Sequence, residues 1–241
     1  MWYNVGVFVV QLAEGLFARR SVSLTGAAVF GGLAALSTVI VPARIQPPYP
    51  IMPFLRFDPA ELFSVLAFLI FGPIPAIVTA TVHWIFLTAT GTNGPLGPAV
   101  KFISVLSTLL GLWIGSKIYA RLAGAYRYLS VAVGSMLGSA MVVRVGVLLV
   151  VNYFVFTYIG PIIFGIDYIG FSQRTLQGTL GLHFAGPDQI IAAMLLYTGI
   201  FNGLHAIFSV MVPYALFTPL STKIPEIASG HPWISRFMNK Q

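Results

Sequence analysis

The 241 residues are 57% hydrophobic and 8% charged, with a mean hydropathy of +0.89. A soluble domain carries roughly a quarter charged residues, so this composition excludes one and marks an integral membrane protein. Thirteen Lys and Arg against six Asp and Glu leave a formal net charge of +7, which in a membrane chain anchors the cytoplasmic leaflet. No Lys/Arg run of nucleic-acid type is present, so nucleic acid is not expected as a partner. The absence of cysteine removes disulfides, thiolate metal sites and cysteine nucleophiles from consideration.

A helix crossing the hydrocarbon core needs about 20 apolar residues. In chain order, the opening stretch Trp2 to Ala18 is interrupted by Gln11 and Glu14 and followed by Arg19 and Arg20, a poor signal peptide that could lie flat as an amphipathic helix or add a span. Runs of spanning character then cover about Val22–Val41, Pro59–Phe71, Pro73–Thr90, Pro98–Tyr119, Leu129–Tyr158 and Asp188–Phe217. The expected fold is all-α, with six transmembrane helices and a possible extra N-terminal interfacial helix. Residues 1–21 form the N-terminal amphipathic segment, 22–220 the membrane domain and 221–241 a C-terminal tail. With both termini in the cytoplasm, Arg19, Arg20, Lys117, Arg121, Arg127, Lys223, Arg236 and Lys240 fall inside, and only Arg44, Arg56, Lys101 and Arg174 outside. Three longer connections, Pro42–Asp58, Gly91–Gly97 and Gly160–Pro187, then lie on the outer face. Irregular backbone near a membrane is tolerated where it lines a cavity, so the site is expected there.

Asp58, Pro59 and Glu61 read as a helix N-terminus of capping-box type. Ala27, Gly31 and Ala35 make a small-residue stripe at spacing four, a face for close helix approach, either within the chain or against another subunit. Gly134 and Gly138 make a second stripe, expected to pack internally. Arg144 is a charge well inside a span, which must face a polar interior or a partner, and Asn152, two turns later, must point inward as well. Asn202 and His205 share one helix face with Tyr197 and Thr198 a turn earlier. An amide and an imidazole together can read the donor and acceptor edge of a flat ligand. Tyr153, Phe154, Phe156 and Tyr158 either stack on such a ligand or form an interfacial aromatic belt. No P-loop, GxSxG or HExxH motif and no acidic cluster is present, so no catalytic residue, metal or cofactor is expected.

The order of these features resembles the substrate-binding S components of energy-coupling factor (ECF) vitamin transporters, most of all the riboflavin type, RibU. The resemblance rests on the small-residue first helix from Gly26 to Ala35, Pro53–Glu61, Phe71-Gly72-Pro73, Val151–Phe154 and Phe201–His205, and extends over about Val22 to Leu220. It implies a six-helix subunit of an ABC-type importer in the cell membrane. Such a subunit captures a vitamin on the outer side and works with a transmembrane coupling subunit and two ATPase subunits. Ala27, Gly31 and Ala35 match the face that contacts the coupling subunit. Asn152 and Asn202 match flavin-contacting residues, whereas His205 stands where the family has Lys. Tyr153, Tyr197 and the loop around Tyr49 to Phe57 are further binding candidates, and Lys101 has no counterpart in the family pattern. Two rival readings are a lipid-modifying membrane enzyme using Arg144, His83 and His205, and a structural subunit of a membrane complex.

Overall fold

The computed structural model describes residues 26, 29–34, 46–91, 94, 96–122, 128–223 and 232–237. The N-terminal segment 1–21, and Ala27 and Ala35 of the first stripe, lie outside the described residues. Helix α1 is described over residues 29–34. A hairpin of β1 (Pro48–Tyr49) and β2 (Met52–Arg56) follows, then α2 (Glu61–Phe71), α3 (Pro73–Ala89), α4 (Gly97–Leu122) and α5 (Leu129–Phe154). α5 runs on as a π-helix over Val155–Ile163, and α6 (Tyr168–Leu180), α7 (Pro187–Lys223) and a 3-10 turn at Trp233–Phe237 complete the order.

Among the described residues, three helical stretches are long and apolar enough to cross a membrane: Gly97–Leu122, Leu129–Ile163 and Pro187–Phe217. The second expected span, the shorter run of the six, is α2, whose eleven residues at 1.5 Å rise make it about 16 Å long. α2 is short and central. Its run from Val65 to Ile70 is buried on every side, as befits a helix apolar all round, and it packs with α3, α4, α5 and α7 in the main core. Gly72, at φ 99°, gives the backbone turn between α2 and α3 that a side chain would resist.

The connection expected to be irregular from Gly160 to Pro187 contains α6, whose first turn is capped by Asp167 Oδ1 accepting from the Gly170 N–H at 2.8 Å. The loop before α2, read as irregular, closes into the antiparallel hairpin with Tyr49 opposite Met52. Tyr49 and Met52 pack with Val155, Phe156, Ile190, Met194 and Phe201 in a second apolar cluster. That cluster seats the hairpin on the ends of α5 and α7.

The C-terminal residues are not a free tail over their described part. Ile234 is fully buried in the main core, and Trp233 packs against Phe68 of α2 with ring centroids 4.7 Å apart.

Close helix approach occurs at Gly31 of the first stripe and not at the second stripe. Gly134 and Gly138 are exposed and have open space around them, contrary to the expectation of internal packing. Their neighbours turn toward α4 instead: a Cβ on Gly111 would lie 2.4 Å from Ala140 Cα, and one on Gly115 would lie 2.5 Å from the Ser135 carbonyl oxygen. Gly31 is likewise enclosed within the chain, since a Cβ there would meet Val82 Cβ of α3 at 2.7 Å. At that position the first stripe is an internal contact, and the exposed side of α1 carries Val29, Gly32 and Leu33.

These contacts predict opposite outcomes for substitutions of one type. Gly111→Ala forces backbone apart and lowers the thermal midpoint of the detergent-purified protein. Gly134→Ala gains up to about 1 kcal/mol of helix propensity and holds or raises it. Equal midpoints for the two variants would refute the assignment of the α4–α5 contact.

Candidate functional site

At the hairpin end of the helices lies a cavity of about 350 Å³, within the range of small-molecule sites. All three connections that the sequence marked contribute to it: Gln46, Phe54, Leu55, Arg56 and Asp58 from the first, Gly94, Leu96 and Gly97 from the second, and Ile166 and Tyr168 around the start of α6. Helices α4, α5 and α7 supply Lys101, Ser104, Arg144, Leu148, Asn152, Phe201, Asn202 and His205, and α2 supplies Glu61.

The floor is organised by Arg144, whose exposure is 1%. Nη1 donates to Glu61 Oε2 at 2.8 Å and to Thr108 Oγ1 at 3.0 Å. Nη2 donates to Glu61 Oε1 at 3.4 Å and to His205 Nδ1 at 3.1 Å, and Nε donates to Asn202 Oδ1 at 3.3 Å. A guanidinium has five N–H groups, and each of these has an acceptor. Ser209 Oγ adds a donor to Glu61 Oε2 at 3.2 Å. The group thus joins α2, α4, α5 and α7.

These bonds also fix the orientation of the Asn202 amide and the tautomer of His205. Arginine only donates, so Asn202 turns its oxygen to Arg144 while its Nδ2 donates to the Thr198 carbonyl at 2.9 Å. By the same argument His205 Nδ1 is the acceptor and Nε2 carries the proton. Nε2 then faces Glu61 Oε2 at 3.6 Å, and the Asp58 backbone nitrogen, 3.4 Å away, is a neighbour of that N–H rather than its donor.

Asp58 and Glu61 do not form the expected capping box. Asp58 Oδ1 accepts from the Ala60 N–H at 2.8 Å, and Asp58 Oδ2 pairs with Lys101 of α4, whereas the Glu61 carboxylate leaves its own helix end for Arg144. The demand of a buried guanidinium for a carboxylate outweighs a cap, which water or a nearby backbone group can replace.

Of the candidate binding residues, Asn152, Asn202 and His205 come together on the cavity wall. The other three do not line it. Tyr153 follows Asn152 by one residue, hence about 100° around the helix, and points out to an aromatic group with Phe154 and Tyr158. Tyr197 packs in the second apolar cluster, under the hairpin. Phe57 stands behind the wall, its ring 4.9 Å from Phe201 and 5.5 Å from His205. His83, the third member of the enzyme reading, is buried outside the lining set.

The aromatic surface of the cavity comes instead from Phe54, Phe156, Tyr168 and Phe201. Phe54 meets Phe156 and Tyr168 at centroid distances of 6.0 and 5.7 Å. Burial pushes the Tyr168 phenol above its usual range, which keeps it protonated. Sequence reasoning passed over Glu61, Lys101, Ser104 and Gln46 as site residues. Their signal was position alone, since Lys101 and Ser104 sit three apart near the start of a helix that opens on a marked connection.

No protein-family model matches the chain, and no curated protein matches it in sequence. Among solved structures it is similar to the S component of a bacterial ECF transporter, with a TM-score of 0.56 and 22% identity over 84% of this chain and 97% of that one. The two chains share a fold. Sequence identity at this level carries the architecture and leaves the ligand to be argued from the cavity.

Removing Glu61 alone strands Arg144 in an apolar interior, and breaking a buried pair in this way costs about 3–5 kcal/mol. Glu61→Leu is therefore expected to unfold at markedly lower temperature in detergent, while the double variant Glu61→Leu/Arg144→Met recovers a large part of the loss. A double variant no more stable than the weaker single one would show that the pair does not organise the floor.

Proposed function

We propose that this chain is the substrate-capturing subunit of an ECF-type ABC importer in the cell membrane, binding riboflavin or a similar vitamin for uptake. The observation that carries the reading is the polar and aromatic cavity walled by all three hairpin-end connections, in a chain sharing its fold with a transporter S component. In this reading the hairpin end faces outward and both termini are cytoplasmic. The partners are a transmembrane coupling subunit and ATPase subunits, which hydrolyse ATP, and the chain itself catalyses nothing. The coupling-subunit contact expected at Ala27, Gly31 and Ala35 falls on α1 in this reading, with Gly31 itself turned inward to α3 and the exposed Val29, Gly32 and Leu33 meeting the partner.

Asn152, Asn202 and His205 surround the ligand. Where the riboflavin type has Lys, His205 brings no fixed charge, yet Arg144 Nη2 lies 3.1 Å from its ring, so a cation stands next to that position by another route. Phe54, Phe156 and Phe201 offer faces on which a flat ring system stacks.

Two measurements test this. Purified protein that has retained riboflavin is yellow, and acid release followed by mass spectrometry identifies what it carries. Asn152→Ala is expected to weaken riboflavin binding by about 1–3 kcal/mol, the cost of leaving a buried ligand group unpaired. A colourless protein that also fails to bind added riboflavin would reject the riboflavin assignment.

A further inference from the structure

We propose that the cavity takes an uncharged ligand, read by the polar side chains that its wall leaves unpartnered, Ser104 and Asn152, with Gln46 at the hairpin side. This rests on the capture-subunit reading and adds to it the charge class of the ligand and a contact, Ser104, that lies outside the helix motifs discussed above.

The charges on the deep wall are already matched. Arg144 has used all five N–H groups, two of them on Glu61, and Lys101 is paired with Asp58. A ligand carboxylate or phosphate would have to draw Lys101 from Asp58 or Arg144 from Glu61, and a ligand cation would have to draw away one of the carboxylates. Either exchange leaves one buried ion without its counter-ion, the arrangement that interiors tolerate least. Arg56 also lines the cavity, but it is exposed, where water and salt weaken its reach.

The polar groups left over are neutral. Ser104 and Asn152 are each 4% exposed and both line the cavity; Ser104 Oγ is buried without a hydrogen-bond partner among the described residues, and the Asn152 carboxamide bonds to none of them while keeping its polar atoms less enclosed. Gln46, 8% exposed, is in the same position. A buried polar group without a partner is uncommon in a native interior, and Ser104 Oγ on α4, set on one cavity with the carboxamides of Asn152 on α5 and Gln46 before the hairpin, points to a ligand that satisfies it. Hydroxyl and carboxamide groups both donate and accept, so they suit the carbonyl, ring-nitrogen and hydroxyl groups of a neutral heterocycle. Lys101, one turn before Ser104 on α4, then serves to hold Asp58, and with it the start of α2, against α4.

The test is a binding panel on the full-length detergent-purified protein, using riboflavin, its phosphate ester FMN, pantothenate and thiamine as neutral, anionic and cationic probes, read by calorimetry and thermal shift. Riboflavin is expected to bind at least about 100-fold tighter than FMN, because each displaced ion pair must be broken, with no shift from pantothenate or thiamine. Ser104→Ala and Asn152→Ala should each weaken riboflavin about tenfold while leaving the unliganded protein as stable or more so, since each removes an unpaired buried group. A merely structural residue would lower that stability. Lys101→Met should impair binding and Lys101→Met/Asp58→Asn should recover much of it. A folded double variant without recovery would make Lys101 a ligand contact and overturn the proposal. Tighter binding of FMN, pantothenate or thiamine than of riboflavin would overturn the charge assignment while leaving the capture reading in place. Binding of none of the four would overturn the capture reading and this proposal with it.

Discussion

A guanidinium placed in the middle of a membrane domain sets the terms for everything around it. Arg144 cannot lose its proton and cannot be left bare in hydrocarbon, so the fold must bring it a carboxylate and enough acceptors for five N–H groups. Glu61 comes from α2, Thr108 from α4, and Asn202 and His205 from α7. Four elements are thereby tied at one depth. Apolar packing between helices in lipid gives little directional preference, so this shared polar centre is what fixes their rotation.

The same centre divides the interior into two parts. Toward Gly72 the packing is dry, made of the α2 core, the surrounding helices and the returning Trp233 and Ile234. Toward the hairpin the helices part around the cavity, and α5 changes to a π-helix shortly after Asn152, with Val155 and Phe156 on the lining. Widened helical turns of this kind are rare and concentrate at functional sites. Here the π segment begins at the level where aromatic faces replace the polar floor.

Much of this could be read from the residues. Helices α4, α5 and α7 were visible because long apolar runs ended at Pro, Gly or charge, and Arg144 and Asn152 were assigned inward because hydrocarbon cannot satisfy them. The location of the cavity followed from unequal loops. What stayed hidden depended on distance in the chain. Asp58 and Glu61 have a local reading as a cap, and only a guanidinium 83 residues away changes it. Tyr153 has the sequence neighbours of a residue that stacks on a ring-shaped ligand, yet one residue of helix rotation sends it outward. The glycines at 134 and 138 have the spacing of an interface and face open space, whereas Gly111 and Gly115, at the same spacing of four, meet the backbone of α5. Spacing reveals that a face is smooth without saying what it meets.

That backbone contact has a bearing on how the cavity measures its contents. With no side-chain layer between α4 and α5 at Gly111 and Gly115, the two helices cannot slide or spread there without breaking backbone packing. Ser104 and Lys101 ride on one of them and Arg144 and Asn152 on the other. The four therefore behave as one rigid jaw, like the fixed side of a caliper. The opposing surface comes from residues 46–58 and the start of α6, so any difference in width between a small guest and a large one has to be taken up on that side.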